Sequence, residues 1–190
     1  LVNRILVPYL IEAVELSQEG IAAESIDQAA LDFGMPMGPV ELADTVGLDI
    51  CQSVATNLAE TCAIELPAVL DDMIKAGHLG KKSGQGFYRY KKGKPVKDRD
   101  ADMGNQTEIQ NRLGFRLLNE AVACLREGIV EDEELLNAGV IFGTGFAPFR
   151  GGPLNHASDT GVRSIVQLMT TYQQRFGERF QPDEGWSNLE

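Results

Sequence analysis

Near the start of the chain, Leu6, Leu10, Ala13, Val14 and Ser17 recur at intervals of three and four. That rhythm draws one face of an amphipathic helix, and Gly20 is a natural stop for it. Pro8, inside the run, predicts a kink or the first well-formed turn. Ser25-Ile26-Asp27-Gln28 has the form of a capping box that opens a short second helix, closed by Gly34. Gly38-Pro39 suits the N-cap and first position of a third helix running to Val46. Leu48 to about Ala63 and Pro67 to Ala76 continue the series, with Gly77 as a C-terminal stop. In this half only Phe87-Tyr88-Arg89-Tyr90 alternates like a strand.

The second half reads the same way. Helical periodicity covers Glu108 to Glu127, Glu131 to Val140, Pro153 to Asp159 and Val162 to Phe176, so the expected fold class is all-α. Moreover, the halves repeat each other. Asn3-Arg4-Ile5, Glu12-Ala13-Val14 and Glu19-Gly20-Ile21 return as Asn111-Arg112-Leu113, Glu120-Ala121-Val122 and Glu127-Gly128-Ile129, at a constant offset of 108 positions. Phe33-Gly34 and Pro39 return one residue later, as Phe142-Gly143 and Pro148, and Asp44-Thr45-Val46-Gly47 has a looser echo in Asp159-Thr160-Gly161. These echoes predict two tandem homologous helical domains, residues 1–90 and 107–190. The stretch 91–106, rich in charge with Gly93, Pro95 and Gly104, is expected to be a linker because it lacks the apolar surface to fold alone.

Composition narrows the class. A formal net charge of −11 repels a polyphosphate backbone and excludes general nucleic-acid binding. The lysines of Lys91-Lys92-Gly93-Lys94-Pro95-Val96-Lys97 read as a solvated loop partly neutralised by Asp98, Asp100 and Asp102. No apolar run is long enough to cross a bilayer, and the early Ile5-Leu6-Val7 lacks the flanks of a signal peptide. Cys51, Cys62 and Cys124 fall within helical patterns and suggest reduced core thiols and a cytoplasmic setting. Because the chain opens at Leu1 inside a helical pattern, it is expected to be a fragment.

Candidate chemistry is sparse. His78 and His156 lie in different halves without a metal-ligand spacing, and both read as structural. Gly80-Lys81-Lys82-Ser83-Gly84-Gln85-Gly86 lacks the spacing of a phosphate loop. A helix precedes it and a strand-like segment follows, the reverse of a dinucleotide fingerprint, so no cofactor site is expected in this chain. Met35-Pro36-Met37-Gly38-Pro39 fits either an interhelical turn with methionines plugging the core or an adaptable apolar wall for an acyl chain. Asn3 is either an exposed or capping asparagine or a neutral donor aimed at a substrate oxygen.

Three ordered motifs carry a family resemblance. Val2-Asn3-Arg4-Ile5-Leu6-Val7-Pro8-Tyr9-Leu10 resembles the opening of the C-terminal domain of 3-hydroxyacyl-CoA dehydrogenases. So do Phe33-Gly34-Met35-Pro36-Met37-Gly38-Pro39, with Glu41 to Asp49 after it, and the closing Gly80 to Tyr88. The second half, with Phe142 to Pro153, is similar to the last domain of multifunctional fatty-acid oxidation α-subunits. The resemblance implies oxidation of (S)-3-hydroxyacyl-CoA with NAD, which a Rossmann domain outside this chain would bind together with the catalytic histidine and glutamate. It puts the family's active-site asparagine on Asn3 and the acyl cleft near Met35, Pro36, Met37, Gly38 and Pro39. It also implies the helical fold shared with phosphogluconate dehydrogenases, an enoyl-CoA hydratase domain and a thiolase subunit as partners, and a fragment inactive by itself.

The second copy keeps Asn111 but replaces the methionine segment with Thr144-Gly145-Phe146-Ala147-Pro148. A packing role is expected for it, with the two copies forming an internal pseudo-dimer through their long helices. Two other readings stay open. One is a non-catalytic assembly module; the other is the helical half of a dehydrogenase acting on small hydroxy acids.

Overall fold

The computed structural model describes residues 1–62 and 64–189; Ala63, the expected end of the fourth helix, and Glu190 lie outside the described residues. The fold is all-α, built on two long helices that pack against each other, α1 (Val2–Gln18) and α6 (Gln106–Arg126). Against them lie α2 (Ala23–Phe33), α3 (Pro39–Val46), α4 (Leu48–Leu58) and α5 (Ala68–Lys75), then α7 (Glu133–Thr144), α8 (Pro153–Thr160) and α9 (Val162–Phe176). Helix α1 runs through Pro8 as one helix.

The halves exchange contacts. Helices α3 and α4 pack on α1, and α8 and α9 pack on α6; α2 also leans on α6 of the other half, and α7 on α1. The apolar side chains Ile5, Leu16, Leu113 and Leu117 are buried where the long helices meet. Each buried Leu or Ile there contributes about 1.5–3 kcal/mol, so the helix crossing is the centre of the core.

Charged residues share that core. Arg112 Nε donates to Glu12 at 2.6 Å, and its terminal nitrogens reach Glu19 at 2.5 and 2.7 Å. Arg4, at the same place on α1, donates to Glu120 at 3.3 Å and to Glu127 at 2.9 Å. The repeated blocks Arg4, Glu12, Glu19 and Arg112, Glu120, Glu127 are therefore two mutual clamps. Arg112 and Glu12 are each 1% exposed, and such charges persist in a core only when paired.

The register of the repeat is corrected further along. Asp27 accepts the N–H groups of Val40 at 2.8 Å and Glu41 at 3.2 Å, capping α3, while Asn137 accepts the Leu154 N–H at 2.9 Å, capping α8. Pro39 and Pro153 each take a first helical position, each behind a glycine whose Cβ would collide with the capping side chain. Pro39 thus corresponds to Pro153, whereas Pro148 opens a separate one-turn helix. Four extra residues between cap and helix conceal this in the sequence.

Two local expectations also change. Helix α2 opens at Ala23, and the Ser25 hydroxyl donates to the Met103 carbonyl at 2.6 Å instead of capping the helix. The segment read as a linker begins inside a hairpin, β1 (Arg89–Lys91) paired antiparallel with β2 (Lys94–Val96) through Lys92-Gly93. Both turn residues have positive φ, 53° and 74°, as a two-residue hairpin turn requires. After Phe176 the chain folds back on α6 and buries Phe180 and Trp186; Asn119 accepts the Trp186 indole N–H at 2.8 Å.

Candidate functional site

Asn3 lies in the first turn of α1, exposed, and makes no hydrogen bond among the described residues. Its neighbours are fixed against the other half: a Cβ built on Gly143 would stand 2.4 Å from Val2, and one on Gly139 would stand 2.8 Å from Leu1. The end of α7 therefore borders Asn3. The same end meets Pro36, whose ring would lie 2.6 Å from a Cβ on Gly145. Between these two contacts Phe142 is 88% exposed, an uncommon setting for a phenylalanine. Asn3, Pro36 and Phe142 thus border one face, rigidly positioned and with its amide unpaired.

The methionine segment divides. Met35 is buried against Tyr9, Ala30 and Leu113, and Gly38 and Pro39 are buried at the start of α3; those three are turn and core. Pro36 is exposed and Met37 half-buried. Asn111, at the repeat position of Asn3, is half-buried, and its amide donates to the Tyr172 hydroxyl at 3.3 Å. The two asparagines share a repeat position but not an environment.

The glycine-rich closing segment wraps an acidic side chain. Asp44 accepts the N–H groups of Phe87 and Tyr88 at 2.9 Å each and the Tyr90 hydroxyl at 3.2 Å. A Cβ on Gly86 would lie 1.9 Å from Asp44 Oδ1, so the glycine answers a close approach to a carboxylate. An anionic pyrophosphate has no place in that cradle, and the residues present do not fit NAD. Tyr88 also donates to Asp27 at 2.9 Å. Burial pushes the Asp27 carboxyl up to about 6, against the downward pull of Tyr88, the Val40 N–H and Lys97.

Other reactive groups are quiet. His156 packs edge-on to Phe33 at 5.1 Å, and burial together with Arg150 lowers its pKa. The three cysteines are free and buried, and desolvation raises each thiol, Cys51 to about 11 and Cys62 to about 12. Among the described residues no group of three or more metal-binding side chains occurs, and no helix is long and apolar enough to cross a membrane. The mutual Arg–Glu clamps escaped the sequence reading. Their residues stood in the repeat blocks, but a repeat does not say which copy's arginine meets which copy's glutamate.

Comparison with known proteins is consistent with this geometry. Residues 1–90 match the family described as 3-hydroxyacyl-CoA dehydrogenase, C-terminal domain. The fatty acid oxidation complex subunit alpha of Vibrio cholerae is 39% identical over 97% of this chain, and that of Shewanella amazonensis 38% identical over 95%. The chain spans only 28% of the length of each. The crystal structure of 3-hydroxybutyryl-CoA dehydrogenase from Escherichia coli superposes over 98% of this chain and 58% of its own, with a TM-score of 0.78 at 22% identity. The dehydrogenase part of multifunctional enzyme 1 from C. elegans superposes over 99% of this chain and 47% of its own, with a TM-score of 0.73 at 20% identity. These two share the fold. Residues 1–90 thus match the 3-hydroxyacyl-CoA dehydrogenase C-terminal domain family, and nearly the whole chain is similar to part of the fatty acid oxidation complex α-subunits.

Proposed function

We propose that the chain is the helical C-terminal portion of an NAD-dependent (S)-3-hydroxyacyl-CoA dehydrogenase of the multifunctional fatty-acid oxidation type. The observation that carries this reading is the unpaired amide of Asn3, exposed beside Pro36 and Phe142 within the domain that matches the family. Oxidation at C3 converts a hydroxyl into a carbonyl, and the amide N–H donates to that oxygen while its charge changes. Being neutral, the amide does this without competing for the proton. NAD, when bound in the parent protein, supplies the hydride acceptor; it and the general base belong to a Rossmann domain outside this chain.

Pro36 and Met37, rather than the whole of Met35 to Pro39, form the rim for the acyl chain. We read residues 1–90 and 107–190 as duplicated domains, with 91–106 between them, and the second as a built-in substitute for a dimer partner. The two Arg–Glu clamps support that reading, since an isologous interface repeats each contact. An enoyl-CoA hydratase domain, a thiolase subunit and a cytoplasmic setting complete the proposal, with the isolated fragment inactive.

The test is acetoacetyl-CoA-dependent NADH oxidation by the full-length protein, with wild type set against Asn3→Ala. The proposal expects kcat to fall about 100-fold or more, the usual loss of an oxyanion donor. Activity indifferent to Asn3 would remove the residue's role and leave the activity. Absence of activity on any 3-hydroxyacyl-CoA or 3-ketoacyl-CoA would return the chain to an assembly role.

A further inference from the structure

The second half carries a cavity beside its long helix. About 190 Å³ is open between α2, α6, α8 and α9, around Asn111. Its floor is apolar and buried, formed by Phe115, Leu118 and Ile165, with the Phe33 ring as a wall. Gly114 keeps it open. The glycine sits mid-way along α6 with ordinary helical backbone, and a Cβ there would meet nothing within 4 Å. A mid-helix glycine is unfavourable relative to alanine, so backbone geometry gives no reason for it. At the corresponding place on α1 stands Leu6, a half-buried side chain.

Past Gly114 the space narrows. A slot of about 20 Å³, lined partly by the same Phe33, Gln110 and Gly114, extends to Tyr9. The Tyr9 hydroxyl is buried and has no hydrogen-bond partner, an uncommon state for a buried polar atom. The slot adjoins the cavity across Gly114 and is not tightly packed.

At the mouth stands Arg150. Its Nε donates to the Phe33 carbonyl at 2.9 Å, and its guanidinium lies 4.2 Å from the Phe33 ring centre. Its two terminal nitrogens make no hydrogen bond or ion pair among the described residues. Arg112, Arg126, Arg175 and Arg179 all meet carboxylates, and the Arg150 fork does not. No carboxylate lines the cavity; its remaining polar groups are the neutral Gln110, Asn111 and Thr160, with His156.

We propose that this cavity is a second binding site, separate from the Asn3 face, for a small carboxylate with an apolar tail. The anionic head pairs with the Arg150 fork, which is shaped for a carboxylate. The tail lies beside Gly114 over the apolar floor of Phe115, Leu118 and Ile165. An apolar cavity of about 150 Å³ holds benzene, so the space here takes a tail of about six to eight carbons. The inference does not rest on the dehydrogenase reading, because it uses no residue of the Asn3 face.

The probe is octanoate, titrated calorimetrically into the full-length protein, with octylamine as the charge-reversed comparator. One saturable event is expected for octanoate, weakened tenfold or more by Arg150→Gln and absent for octylamine. Gly114→Ala is the discriminating variant: it should raise the melting temperature, because the helix gains propensity without a clash, and weaken octanoate several-fold. Gly114→Leu should abolish the event. Octanoate heat unchanged in both glycine variants would overturn the proposal, as would no saturable binding to the wild type at 10-millimolar order. A lowered melting temperature in Gly114→Ala would overturn it too, by showing that the space at Gly114 is not open.

Discussion

Arg112 holds the buried carboxylate of Glu12 at 2.6 Å, and across the helix crossing Arg4 makes the same contact with Glu120 at 3.3 Å. The two clamps are equal in sequence and unequal in environment. The inner pair Arg112–Glu12 is almost wholly buried, at 1% and 0% exposure, whereas Arg4 and Glu120 are 10% and 7% exposed; the outer partners Glu19 and Glu127 are alike, at 39% and 34%.

That asymmetry orders the cost of breaking each clamp. Arg112→Met strands Glu12 in the core with only Arg179, at 2.8 Å, to hold it, and should cost about 3 kcal/mol. Arg4→Met should cost somewhat less, about 2 kcal/mol, since Arg4 and Glu120 keep slightly more contact with water than Arg112 and Glu12. Urea denaturation of both variants checks the order; equal losses, or the reverse, would show that burial does not govern these pairs.

Asp27 makes stability depend on pH. Its folded pKa, about 6, stands above the ordinary value of 3.8 because burial penalises the charge. The folded state therefore binds the proton more tightly than the unfolded chain. The contribution is fully present below about pH 3.8 and is lost as pH rises through about 6. Asp27→Asn removes this term, so its stability relative to wild type should improve by roughly 2–3 kcal/mol between pH 4 and pH 7.5. Melting curves at those two pH values test the sign. A relative stability that does not move would mean that the carboxylate titrates alike in folded and unfolded chains.

Gly86 should not tolerate a side chain. The Cβ of Gly86→Ala would occupy the space of Asp44 Oδ1, which binds the Phe87 N–H, so the closing segment must lift. A loss of about 1–3 kcal/mol is expected, together with faster tryptic cleavage at Lys91 to Lys97. Unchanged cleavage would mean that the hairpin is held without Asp44.

The two asparagines should part company. Asn111→Ala removes a 3.3 Å hydrogen bond to Tyr172 and should cost about 1 kcal/mol of stability with kcat unchanged. Asn3→Ala should do the opposite, because Asn3 has no partner to lose among the described residues. Steady-state assays beside melting curves, on the full-length protein, separate the two effects.

Much of this was legible in the residues. Helical periodicity and glycine stops located α3 and α9 to the residue and α8 nearly so, because those signals are local. The two-residue hairpin turn was hidden in a charged run, since Lys92-Gly93 lacks the apolar flanks that announce one. The tail after Phe176 has no periodicity, and only its packing on Asn119 and α6 gives it a structure. At the candidate site, sequence singled out Asn3 and the methionine segment, but could not say that Met35 faces the core while Pro36 meets α7.

The sequence by itself determined the all-α class, the helix stops and the constant offset linking Arg4 to Arg112, because each depends on neighbours along one chain. Tertiary structure alone decided that Arg112 belongs to Glu12 and Arg4 to Glu120, and that Asn3 is bare while Asn111 is tied. It also decided that Gly114 borders an open space. The physical reason is that pairing, burial and emptiness are properties of two surfaces brought together, and a periodic pattern describes only one.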